Sequence, residues 1–126
     1  MRKIVVDFII SSDKTTIDSI AERINIEPHY SRSEFPEKSI AKPYWYIETV
    51  SDSASVEEPL LAIMDTVTPK FDIVSEICRE LGSSPTILLI IDSDYENRPE
   101  ITIPSEFAGF CARLNAELCI DITNDW

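Results

Sequence analysis

Glycine is nearly absent, with two in 126 residues. A phosphate loop or a dinucleotide-binding turn needs clustered glycines so that backbone amides can approach a ligand closely, which argues against those nucleotide enzymes. Histidine occurs once, as His29, beside Pro28 in a polar stretch where an imidazole is ordinarily surface decoration. Cys78, Cys111 and Cys119 are odd in number and lack Cys-x-x-Cys spacing, which speaks against a disulfide framework or a zinc site. Free thiols packed inside a protein of a reducing cytoplasm are the simplest account. No apolar run approaches the roughly 20 residues of a membrane-spanning helix. Met1-Arg2-Lys3 imitates the charged start of a secretion signal, but Asp7 interrupts the apolar stretch that follows. No signal peptide is predicted, and a cytoplasmic protein is expected.

Positive charge is scarce too: 11 Lys and Arg stand against 23 Asp and Glu, a formal net charge of −12. The imbalance grows along the chain, with 7 basic and 11 acidic side chains in residues 1–63 and 4 and 12 in residues 64–126. Such a surface repels nucleic-acid phosphates and anionic membrane, and favours a basic partner.

What is present is a hydrophobic fraction of 44%, enough for one self-supporting domain over residues 1–126. Its centre is Pro85-Thr86-Ile87-Leu88-Leu89-Ile90-Ile91-Asp92. A strand with one wet face alternates apolar and polar residues, and this one does not, which predicts cover on both sides. Residues 4–10 form a second strand, with Asp7 its only interior charge, and Tyr44-Trp45-Tyr46-Ile47-Glu48-Thr49-Val50 a third, with a short one near residues 30–33. Thr15 or Thr16 caps a helix carrying Ile17, Ile20, Ala21 and Ile24, which Asn25 ends. Ser55 and Glu58 read as a capping box before the stripe Val56, Leu60, Ile63, Met64, Val67, and Pro69 breaks that helix. Phe71, Val74, Ile77, Cys78 and Leu81 mark the next, closed by Gly82. Residues 100–103 read as a short hairpin strand, Phe107, Phe110, Cys111 and Leu114 as the last helix, and residues 116–123 as the last strand.

The first and last helices echo one another: Arg23-Ile24-Asn25-Ile26-Glu27 matches Arg113-Leu114-Asn115-Ala116-Glu117. Taken at face value, that implies two β-α-β units related by a pseudo-twofold. The expected class is α+β: a two-layer sandwich on a mixed, mainly antiparallel sheet with about four helices, a relative of ferredoxin-like folds.

The segment ending in Trp45 and Thr49, the helix opening Glu57-Glu58-Pro59-Leu60, the arm Ile101-Thr102-Ile103-Pro104 and the ending Leu118-Cys119-Ile120-Asp121-Ile122 carry a resemblance over nearly the whole chain. Together they resemble the bacterial domain of unknown function 4279 family. The resemblance implies a small soluble bacterial α+β domain and carries over no catalytic residue.

No nucleophile, acid–base pair or cofactor motif stands out. Asp92-x-Asp94-x-Glu96 mimics a calcium loop, but Asn97 stands where the sharp turn needs glycine and the distal glutamate is missing, so a solvated acidic turn is expected. Asp121 inside the last strand reads as the wet face of an edge. The first functional expectation is a non-enzymatic binding protein, of the immunity or antitoxin type, that covers a basic toxin. Its candidate partner-binding residues are Asp92, Asp94, Tyr95 and Glu96, with Trp45 or Tyr46 as aromatic anchor. The second is a small-ligand-binding or regulatory domain, with a homodimer allowed; a metal-dependent hydrolase using the acidic cluster ranks last.

Overall fold

The computed structural model describes residues 2–12, 17–32 and 43–123. Thr15, Thr16, the side chain of Ile17, the turn at 13–14, residues 33–42 and the tail 124–126 lie outside the described residues. In chain order the elements are β1 (Arg2–Ser11), α1 (Ile17–Ile24), β2 (Tyr30–Arg32), β3 (Tyr44–Ser51), α2 (Glu57–Val67), α3 (Phe71–Leu81), β4 (Thr86–Ser93), α4 (Ser105–Leu114) and β5 (Glu117–Thr123). The five strands form one mixed sheet in the order β2-β3-β1-β4-β5. Every neighbouring pair is antiparallel except β4 and β5, which run parallel through the α4 crossover.

Helix ends follow local chemistry. Asn25, Gly82 and Asn115 all sit at positive φ, 54°, 63° and 55°, where glycine and asparagine are tolerated and other side chains crowd the carbonyl. Pro69 lacks the amide that would continue α2, and a single turn of 3-10 helix, Thr68–Lys70, joins α2 directly to α3. Helical residues therefore form three runs: α1, α2 with α3, and α4. At the start of α2 the capping is shared differently from the expected box. Ser55 Oγ accepts from the Glu57 amide (3.2 Å), whereas Glu58 accepts from the Ser53 hydroxyl (3.1 Å).

Strand alternation decides which side the helices cover. Ile4, Val6, Phe8 and Ile10 of β1, Trp45 and Ile47 of β3, and Ile87, Leu89 and Ile91 of β4 are all buried. Register aligns them across the sheet, Phe8 opposite both Ile47 and Ile87, and Val6 opposite Leu89. They share one core with Ile20 and Ile24, Leu60 and Ile63, Val74 and Ile77, Phe107 and Phe110 from the four helices. Fully burying each such side chain stabilises by roughly 1.5–3 kcal/mol, so this one face accounts for the fold.

Two expectations need correction. Among the described residues the aliphatic run of β4 is covered by helices on one side only: Leu88 and Ile90 stay half-exposed on the other face. The helix-bearing units differ in strand spacing: β1 and β2 run parallel with β3 between them, whereas β4 and β5 are parallel and adjacent. Residues 101–104 form no strand. Glu100 alone bridges Ser55, donating to the Ala54 carbonyl (2.8 Å) and accepting from the Val56 amide (3.0 Å).

Candidate functional site

The face turned away from the helices carries the unusual chemistry. Antiparallel register sets Asp7 of β1 directly opposite Glu48 of β3, and Ile9 opposite Tyr46. Asp7 is nine-tenths buried, its carboxyl hydrogen-bonds that of Glu48, and its Oδ1 is buried without a hydrogen-bond partner among the described residues. Burial, then the hydrogen bond and negative charge of Glu48, push the Asp7 carboxyl up from 3.8 to about 7. Water stabilises an ionised carboxylate far better than an apolar strand surface does, and two adjoining carboxyls resist both losing their protons. Beside the pair stand three tyrosines: the Tyr46 ring centroid lies 5.3 Å from that of Tyr30 and 5.5 Å from that of Tyr44. The Tyr46 hydroxyl is pushed up by burial and by the charges of Glu48 and Asp7. Half-buried Val5, Ile9, Leu88 and Ile90 and exposed Val50 complete this side of the sheet.

The residues singled out from sequence do not converge. Trp45 is fully buried opposite Ile10, because its place in β3 points it into the helix-covered core; it is not an exposed anchor. Tyr46 lies on the open face, as an anchor requires. Asp92 is at the other end of that face, opposite Lys3, while Tyr46 pairs with Ile9. Six residues of strand separate Lys3 from Ile9, about 20 Å. Asp94, Tyr95 and Glu96 lie in the exposed connection beyond β4. There Asp94 Oδ1 accepts from the Asn97 amide (2.9 Å) and side chain (2.6 Å), which holds its carboxyl below the usual range. Arg98 stacks 3.7 Å over the Tyr95 ring and donates to the Tyr95 carbonyl (2.8 Å). Asp94 thus closes an Asx turn, and Arg2 of β1 donates to the Asn97 carbonyl (3.0 Å).

His29 is half-buried, with Nδ1 3.1 Å from the Ile26 carbonyl, and packs beside Trp45. Burial pushes the Cys78 thiol up to about 11 and raises Cys111 as well, the reverse of what a nucleophile needs; Cys119 and Asp121 are exposed on β5. Among the described residues no group of three or more His, Cys, Asp or Glu is placed to hold a metal ion, and no helix is long and apolar enough to cross a membrane. A cleft of about 390 Å³ opens between the ends of α3 and α4, lined by Arg79, Arg113, Ser75, Ser83, Ser84 and Asn115. Both arginines lie in last helical turns, where they complement the negative ends of the helices.

The model of a family described as a domain of unknown function (DUF4279) matches residues 2–125. The chain belongs to that family. No curated protein and no solved structure matched it. The family therefore names no reaction, and the residues themselves must carry the functional reading. The tyrosine-bearing strand surface surrounds a carboxyl pair of which Asp7 is buried and Glu48 exposed. It offers flat contact area, aromatic rings and a concentrated negative charge. Sequence reasoning missed the Asp7–Glu48 pair. Its only signal was a lone acid amid β-branched residues in the first strand, and its meaning depends on a cross-strand pairing that composition does not reveal.

Proposed function

We propose that the chain is a non-enzymatic acidic binding protein, of the immunity or antitoxin type, that uses the open face of its sheet to cover a basic protein. The observation that carries this reading is the Asp7–Glu48 pair set beside Tyr30, Tyr44 and Tyr46 on a sheet face that no described helix covers. Tyrosines supply the large, rigid contact area typical of binding hot spots. A formal charge of −12 steers a cationic partner from a distance. A second copy of the chain fits this face less well, since like charges would meet across it. Three free cysteines accord with a reducing cytoplasmic setting.

The test is titration calorimetry against the basic protein encoded by the adjacent reading frame, at low and physiological salt. Binding should weaken with salt. Tyr46→Ala should weaken it by about 30-fold, as expected for a hot spot worth about 2 kcal/mol. Undiminished binding by a folded Tyr46→Ala, Glu48→Lys double variant would refute this face as the interface. A second reading, a small-ligand regulatory domain, is favoured by Arg79 and Arg113 on one cleft, neither in an ion pair among the described residues. It predicts a thermal shift with small anions that Arg79→Gln abolishes.

A further inference from the structure

The open face holds one unmet demand. Asp7 Oδ1 is buried with no hydrogen-bond partner among the described residues, and Val5, Ile9 and Leu88 lie around it. Buried polar atoms are almost always satisfied, so an orphan oxygen in the middle of an exposed sheet face marks a place for a donor. Among the described residues no cation of the chain reaches it. On β1 the nearest is Lys3, four residues and about 13 Å along the strand. On β3 the neighbours are Glu48, Tyr44 and Tyr46; on β2, beyond β3, stand Tyr30 and Arg32. On β4 and β5 the same row holds Leu88 and Cys119, with Asp92 and Asp121 farther along.

We propose that the Asp7–Glu48 pair is a socket for a single arginine or lysine side chain of the basic partner, received against the Tyr46 ring. This rests on the open-face reading and names what that face recognises. A guanidinium suits it better than an ammonium, because its planar fork serves two carboxyls at once while its face stacks on tyrosine.

Charge balance makes capture proton-linked. Unbound and below its midpoint, Asp7 keeps its proton beside the exposed Glu48, because burial and the neighbouring negative charge disfavour its ionisation, and the pair carries one negative charge. The incoming cation lets both ionise, and the proton leaves to solvent. Two carboxylates and one cation again sum to one negative charge, so the face gains no net charge on binding. With a free-state midpoint of about 7, affinity should rise about tenfold from pH 6 to pH 8, the factor by which the proton's competition declines.

The experiment uses the full chain with ¹³C-labelled aspartate and two probes, tetra-arginine amide and tetra-lysine amide. The Asp7 carboxyl resonance is followed from pH 5 to pH 9 with and without peptide. Expected are a free midpoint near neutrality that falls on peptide binding, and tighter binding of the arginine peptide at higher pH. That pH dependence should vanish in Asp7→Asn and in Glu48→Gln, and persist in Asp94→Asn and in His29→Gln. An unmoved midpoint at saturating peptide, or an unchanged pH dependence in folded Asp7→Asn, overturns the socket. If peptide instead perturbs only residues 94–96, the socket fails while a basic-partner surface stands. If neither the peptides nor the basic protein bind, both fail.

Discussion

Replacing Asp7 with asparagine should stabilise the isolated protein progressively as the pH is raised. In the folded chain the Asp7 carboxyl loses its proton at about 7, against 3.8 for an unperturbed aspartate. Between those values the folded state holds a proton that the unfolded chain has released. The associated stability is fully present below about pH 3.8, falls as pH rises, and is lost once pH passes 7. At about 1.4 kcal/mol per pH unit the whole shift amounts to about 4 kcal/mol. Water reaching the exposed Glu48 screens part of it, leaving about 2 kcal/mol as a lower figure. Asparagine has the same size and keeps an N–H donor towards Glu48, but it does not ionise. Urea unfolding of both proteins at pH 4 and pH 8 isolates the effect from every other titrating group. The advantage of Asp7→Asn over the parent should grow by about 2–4 kcal/mol between the two. Parallel pH profiles for the two proteins would refute the claim that Asp7 is buried in contact with a like charge. The same substitution should also flatten the pH dependence of peptide binding, so one residue would be seen trading fold stability for recognition.

Trp45→Ala should cost roughly 3–5 kcal/mol in urea unfolding, since the indole lies wholly in the core, while a folded Trp45→Phe should keep its partner affinity. Gly82→Ala and Asn115→Ala each place an ordinary side chain at a φ of 63° and 55°; each should lower stability by roughly 1–2 kcal/mol, and Asn115→Gly should be close to neutral in thermal melts. Cys119 should react first with a thiol reagent, Cys111 more slowly and Cys78 only on unfolding, in the order of their exposure.

Most of the chain's elements are legible from local chemistry. Asn25, Gly82 and Asn115 end helices because each tolerates a left-handed backbone, and Pro69 interrupts one because it lacks an amide. The aromatic β3 segment and the aliphatic β4 segment are strands as their composition implies. What failed depends on long-range pairing. The unbroken run at Ile87–Ile91 reads as covered on two sides because the open face also carries aliphatic residues, Leu88 and Ile90. Trp45 and Tyr46 are indistinguishable by type, and only the register with β1 sends one into the core and the other outward. Asp7 and Glu48 meet through that same register. Glu100 reads as the start of a strand because its neighbours alternate, yet it forms an isolated bridge with Ser55.

The middle position of β1 has a kinetic consequence. β1 is flanked on both sides by strands made after it, with Phe8 waiting for Ile47 and Ile4 for Ile91. At ribosomal speeds of about 5–20 residues per second, roughly 4–17 s pass before Ile91 exists to meet Ile4. During that interval a stripe of Ile4, Val6, Phe8 and Ile10 has no native strand to lie against on one edge. Final assembly is thus postponed until β4 emerges, and the nascent chain must be kept from pairing with its neighbours until then.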